Sequence, residues 1–330
     1  MFDEGFPWRD KFMRQQISKR LEGLIEATIK LSGYAAILIV ALIFGFLLRY
    51  ALPVLEHQNF WAMLTGKDWL PISEPPVFGM LPLIVGSLYV TLGAAVLALP
   101  IGLGAAIYLS EVASPRLREL LKPVIELLAA VPSVVFGFIA LMVIAPLLKT
   151  WATNLSESIA GPAFLKSALA MPTGMSASAA SVVLAFMALP IIISISDDAM
   201  QAVPRNYRDG SMALGATRWQ TIRTVIVPSA RSGIVAAMML GIGRVIGETM
   251  TVLMVAGNSR GMPEFFTGFF RPVRTMTATI AGEMGETAQF TDHFYTLFMV
   301  GAVLLTITFF INLVARSEEH TSELQSRQSI

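Results

Sequence analysis

The chain has 330 residues, 55% of them hydrophobic and only 14% charged, with a mean hydropathy of +0.65 and a net charge of +1. Soluble domains carry about 25% charged residues, so this composition excludes an ordinary soluble globule and specifies an all-α polytopic protein of the lipid bilayer. The absence of cysteine and the scatter of His57, His293 and His320 exclude disulfides, thiolate chemistry and a Cys or His metal cluster, and the near-neutral charge offers nucleic acid no footing; no metal, cofactor or nucleic acid is expected.

Residues 1–30 come first, as a separate polar segment. Within it "WRDKFMRQQISKRLEGLIEATIK" (8–30) intersperses charged and apolar residues. That pattern fits an amphipathic helix on the cytoplasmic membrane surface, and fits equally a basic segment that only sets topology. It is unlike a cleavable signal peptide, because the first apolar run follows it. A spanning helix needs about 20 mostly apolar residues. Six spans are predicted, roughly over 32–54, 80–109, 124–148, 175–199, 230–256 and 293–315, making a membrane domain of residues 31–315. The second run is too long for one straight span, and Pro82, Pro100 and its glycines predict an initial turn and a kink. Fourteen Lys and Arg residues fall in the N-terminal segment and the connections 111–122 and 200–231, against seven on the other side. This bias predicts cytoplasmic N- and C-termini.

The connection between spans four and five, "QAVPRNYRDGSMALGATRWQTIRTVIVPSAR" (201–231), has helix punctuation of its own. Pro204 opens a short helix and Gly215 is placed to stop it in a left-handed cap. Thr217 and Gln220 have capping-box spacing for a second helix, which Pro228 is predicted to end before the fifth span starts. Met212, Leu214, Trp219, Ile222 and Val225 supply apolar surface for docking.

The fifth apolar run carries two charges, Arg244 and Glu248, in "GIGRVIGETMTV" (241–252). A charge at the bilayer centre costs about 2.5–3.5 kcal/mol on insertion scales, so such residues face a protein interior or a water-filled path. Four residues apart on a continuous helix, the two share a face and can pair, with Gly241, Gly243 and Gly247 allowing close helix approach. The guanidinium suits an oxyanion path, the glutamate moderates its field so that the ion can leave, and Thr249 and Thr251 add hydroxyls. A buried ion pair in a packing seam is the structural alternative.

Between spans five and six, Arg271, Arg274, Glu283 and Glu286 flank an outer mouth or a loop that contacts another protein. Glu111, Arg116 and Arg118 read as a solvated cytoplasmic surface or a subunit contact. The tail "RSEEHTSELQSRQSI" (316–330) changes composition abruptly, lacks helical periodicity and is similar to a translated sequencing-library adapter; it is set apart as a non-native tail.

The 201–231 connection resembles the "EAA" loop of bacterial ABC-importer permeases. Asp209, Gly210 and Ser211 stand at the opening triplet, Gly215 and Ala216 follow at the turn, and Val227 and Pro228 close the motif. Asp-Gly-Ser departs from Glu-Ala-Ala and weakens the first helix by up to about 1 kcal/mol per residue. The resemblance implies a cytoplasmic coupling loop (201–230) seated in a separate ATPase; this sequence has no phosphate-loop signature. Longer blocks, "AIYLSEVASPRLRELLKPVIELLAAVPSVVFGFIALMVIAP" (106–146), "GRVIGETMTVLMVAGN" (243–258), "RPVRTMTATIAGEMGE" (271–286) and "LLTITFFINLVA" (304–315), resemble the PstC-type phosphate ABC-importer permease. That resemblance implies a type I, MetI-like permease fold in the bacterial inner membrane. It also implies a heterodimer with a PstA-type permease, a PstB-type ATPase dimer, a periplasmic phosphate-binding protein and inorganic phosphate as cargo along Arg244, Glu248 and Thr249. The alternatives are a PstA-type subunit, a molybdate or sulfate permease, or an intramembrane enzyme using Glu248 or Glu286. The last lacks a partnering His, Ser or Asp cluster.

Overall fold

The computed structural model describes residues 7–328 apart from 159–165, 167–168, 170 and 265–266, and only the backbone of 7–21 and 314–328. The chain divides into two compact units, Met1–Tyr50 and Ala51–Ile330.

Helix α1 (Pro7–Ala51) makes up the first unit. The helix runs without a break from the polar segment into the first span. No proline interrupts the helix after Pro7, and Gly23, Gly33 and Gly45 have open space beside them. A glycine costs about 1 kcal/mol in a helix interior, too little to break one this long. At 1.5 Å per residue the helix is about 67 Å long, well beyond a hydrocarbon core of about 30 Å.

The second unit starts with α2 (Phe60–Thr65), capped by the Asn59 side chain, and a small antiparallel hairpin of β1 (Trp69–Leu70) and β2 (Val77–Phe78). Then come α3 (Leu81–Ile107), which ends in a π-helical turn over Tyr108–Val112, α4 (Pro115–Ala129), α5 (Ser133–Ile139) and α6 (Ala145–Ser158), the last two joined by a π turn. Helix α7 (Ala177–Gln201) follows. The loop helices are α8 (Arg205–Ala213), α9 (Arg218–Thr221) and, after a π turn, α10 (Val227–Ser229). The chain closes with α11 (Arg231–Ile246), α12 (Met250–Val255), α13 (Met276–Glu283) and α14 (Asp292–Gln328).

Five helical segments among the described residues are long and apolar enough to cross a membrane: Glu22–Glu56, Leu81–Val112, Ser133–Ser158, Ala177–Gln201 and Asp292–Leu313. A sixth exists if Arg218–Ser229 and Arg231–Ile246, bent by 72°, count as one. One boundary differs from expectation. The third span begins at Ser133, not 124, because Pro132 holds the preceding residue out of the α region and separates α4 as a helix of its own. Pro228 lies at the end of the continuous helical stretch Arg218–Ser229, which stops one residue later, and the chain bends by 72° at Ala230. The last helix also runs on through Gln328 where the tail was expected to lack periodicity, although the side chains of 314–330 lie outside the described residues.

Helix α7 is the centre of the unit, with buried residues on every face from Ala177 to Met200. Helix α3 meets it along a stripe at four-residue spacing: Val90, Ala94, Ala98, Gly102 and Ala106. A Cβ at Gly102 would stand 2.7 Å from Ile192 of α7, and Ser181 Oγ donates across the seam to the Val90 carbonyl at 3.2 Å. With lipid as apolar as any side chain, close van der Waals packing and such hydrogen bonds are what hold spans together. Helix α11 packs on α7 from the other side, with Gly241 against Ile192.

Candidate functional site

The fifth span is not the continuous helix expected over 230–256. Gly247 caps α11, and Gly247, Glu248 and Thr249 form a break before α12. The break is held from three sides. The Glu248 carboxylate accepts from the Thr249 N–H at 3.1 Å and the Thr251 N–H at 3.4 Å. The Thr277 hydroxyl donates to the Glu248 carbonyl at 2.9 Å, and the Thr251 hydroxyl to the Ser133 carbonyl at 3.0 Å. Gly137 of α5 gives α12 its seat, since a Cβ there would stand 2.8 Å from Met254 Sδ.

This geometry corrects the expected Arg244–Glu248 pair. The helix ends at Ile246, so the four-residue spacing no longer sets the two on one face, and Glu248 spends its carboxylate on the start of α12. Of the three glycines, only Gly241 makes a close helix contact; Gly243 has nothing near it and Gly247 ends the helix. Thr251 is fully buried and its hydroxyl is occupied, which leaves Thr249 as the half-buried hydroxyl beside the break. Arg244, in the last turn of α11, is exposed and has no hydrogen bond or ion pair among the described residues.

The turn and caps of the 201–231 loop stand as the sequence punctuation required. Gly215 has φ +86°, a left-handed turn in which any side chain is strained. The capping box of Thr217 and Gln220 is complete, and Ser211 Oγ meets Thr221 Oγ1 at 3.0 Å, tying the two loop helices together. Asp209, Gly210 and Pro228 are exposed, and Ala216 is half-buried. Met212, Leu214 and Trp219 are exposed as expected, Leu214 to 91%, whereas Ile222 turns inward at 3% and Val225 is half-buried. Ile222 and Ile226 anchor the loop in a cluster with Leu109, Ile193 and Met200.

Glu111 is not part of a solvated surface. It is buried, and Arg208 Nη2 of the coupling loop donates to its carboxylate at 2.8 Å. Arg118 and Lys122 of α4 converge instead on the fully buried Asp197, at 2.9 and 3.5 Å. The basic connections 111–122 and 200–231 therefore meet at one end of the unit.

A second cluster was only half visible in sequence. Arg274 and Glu283 pair, and Trp69 Nε1 donates to both Glu283 oxygens, at 3.2 and 3.0 Å. His293 Nε2 lies 2.9 Å from the same carboxylate, and its ring stacks on Phe78. Burial alone would raise the Glu283 pKa, but the His293 hydrogen bond, the Arg274 charge and the Trp69 N–H outweigh it and hold the carboxyl below the ordinary glutamate range. These groups border a cavity of about 750 Å³ that also touches Arg260 and Glu286. Trp69 and His293 are 224 residues apart in sequence, so no local pattern joins them.

The family described as binding-protein-dependent transport system inner membrane component matches residues 98–321, from the second half of α3 through the coupling loop into α14. The chain belongs to this family. The permease is 41% identical to the probable ABC transporter permease protein YqgH of Bacillus subtilis over 77% of its own length and 75% of the relative's. It is 36% identical to the phosphate transport system permease protein PstC of Mesorhizobium japonicum (78% and 77% covered), and 32% identical to PstC 2 of Mycobacterium tuberculosis (91% and 92%). Among solved structures, the permease superposes on a chain of the bacterial alginate ABC transporter with a TM-score of 0.54 at 15% identity, covering 94% and 95% of the two chains. The inward-facing MetNI methionine ABC transporter gives 0.50 at 19%, covering 76% and 99%. The fold is that of the MetI-like importer permeases, and the chain is an inner-membrane transport subunit.

Proposed function

We propose that the permease carries inorganic phosphate inward across the inner membrane as one half of a heterodimer with a PstA-type permease. A PstB-type ATPase dimer hydrolyses ATP on the cytoplasmic side, where both termini lie, and a periplasmic phosphate-binding protein delivers the cargo. The observation that carries the reading is Arg244: a guanidinium on an apolar span, exposed and without a hydrogen bond or ion pair among the described residues, beside a helix break. Lipid does not tolerate such a group; a water-filled path between two permease halves does. Its planar fork of donors matches phosphate oxygens, and it stays charged at every relevant pH. Thr249 sits in the break next to it, so the path has a hydroxyl as well as the cation, and Glu248, whose carboxylate caps α12, holds the break that places them. The relatives named PstC support phosphate as the cargo.

In this mechanism the loaded binding protein docks outside, ATP binding closes the ATPase dimer, and the closing dimer pushes on the exposed Met212, Leu214 and Trp219 of the loop. The bundle switches between outward and inward openings, and Arg244 holds the anion transiently. The test is phosphate uptake into vesicles holding the full complex, with molybdate and sulfate as competitors. Phosphate accumulates and neither competitor reduces it at equal concentration; preferential uptake of either one assigns the permease to that oxyanion instead.

A further inference from the structure

Resting on that reading, we infer that Glu111 is the positioning residue that locks the coupling loop to the transmembrane core, so that Glu111 and Arg208 together convert loop movement into helix movement. Glu111 lies in the π turn that ends the second span, and its carboxylate is 9% exposed. Three groups reach it. Arg208 Nη2 of α8 donates to Oε1 at 2.8 Å, Ser110 Oγ donates to the same oxygen at 3.1 Å, and Arg218 of α9 donates to the Glu111 carbonyl. The same Arg208 nitrogen also donates to the Met200 carbonyl at 2.8 Å, at the end of α7. One guanidinium therefore joins the loop to the ends of both α3 and α7, the two helices that form the core seam. Both helices of the loop grip the same residue, so a push on either reaches the same point.

Five buried side-chain polar atoms lack a hydrogen bond among the described residues, and three of them, Ser196 Oγ, Asp197 Oδ1 and Arg208 Nε, lie on the loop or on the end of α7 that it grips. In a buried polar network each such atom calls for a partner, and a small displacement of the loop is one way to supply it. A shift of α8 relative to α7 exchanges partners within this set, which is the two-state element that coupling requires.

The experiment uses the complete complex in vesicles and measures phosphate imported per ATP hydrolysed, with copurification of the ATPase subunit as the assembly check. Glu111→Gln and Arg208→Gln each lower the transported phosphate per ATP by about tenfold or more, while the ATPase subunits remain bound and hydrolyse ATP without import. Arg208→Lys, which keeps the charge but loses the fork, falls between wild type and Arg208→Gln. Wild-type stoichiometry in Glu111→Gln overturns the inference, as does loss of ATPase copurification in both Gln variants, since the pair would then only hold the fold. A wild-type complex that hydrolyses ATP without importing phosphate fails the transport reading itself, and the inference with it.

Discussion

Arg244 and Arg274 carry the same charge in the same unit and are treated in opposite ways. Arg274 is closed in: its guanidinium pairs with Glu283 and donates to the Asn258 carbonyl, and only 13% of the side chain is exposed. Arg244 is open, with no partner among the described residues. A buried charge paired with a carboxylate holds structure together, because removing that partner leaves the charge desolvated and unpaired. An unpartnered charge at membrane depth adds nothing to the stability of the single chain, so its benefit lies in what comes to it. The comparison separates charges that build the permease from the one proposed to serve the cargo.

The comparison breaks most readily at Glu283. Glu283→Ala strands Arg274 and the Trp69 N–H and lowers stability by about 3–5 kcal/mol, read as thermal unfolding of the purified permease; a loss below about 1 kcal/mol would make the cluster peripheral. The same site has a pH signature. The folded pKa of Glu283 lies below its unfolded value, so its contribution is present above the unfolded value and is lost as pH falls through the folded one. Glu283→Gln removes that part of the acid sensitivity. Next is Gly86→Ala, whose Cβ would overlap the Arg274 carbonyl, backbone that cannot swing aside. It costs about 1–3 kcal/mol and loosens the shell around Arg274 from behind. Gly215→Ala forces a side chain into a left-handed turn and costs about 1–2 kcal/mol, with weaker ATPase association as a second readout.

Arg244→Gln gives the smallest stability change, within about 0.5 kcal/mol, because no intrachain bond is lost. Its transport effect is large: losing a charge-assisted hydrogen bond to the anion, worth about 1.5–3 kcal/mol, lowers phosphate uptake about tenfold or more. Normal uptake would remove Arg244 from the path. Because the chain has no cysteine, Arg244→Cys also supplies a single labelling site. A small water-soluble thiol reagent modifies it in the assembled complex, and phosphate slows the reaction.

Much of this protein was legible in its sequence because the membrane allows so few solutions. With no water to satisfy the backbone, apolar runs of sufficient length become helices, and the runs ending at Val112 and Gln201 did so close to where they were expected. The 201–231 loop was legible for a different reason. Gly215, Thr217 and Gln220 act on backbone groups within a few residues, so their chemistry is local and the sequence states it directly. Arg244 stood out simply as a charge where charges are costly.

What stayed hidden depended on neighbours distant in sequence. The break at 247–249 is held by Thr277 and by the seat that Gly137 makes for α12, and neither is written in "GRVIGETMTV". Read alone, that stretch is a good helix, and the Arg244–Glu248 spacing follows from it. Only packing decided that the helix stops, that Glu248 caps a new one, and that Arg244 is left without its presumed partner. The same holds for Glu111 and Arg208, 97 residues apart. Hydropathy and local caps settle which segments are helical, since both act over one or two turns. Which charge meets which is settled only when the helices pack, because an ion pair depends on distance in space and is indifferent to distance along the chain.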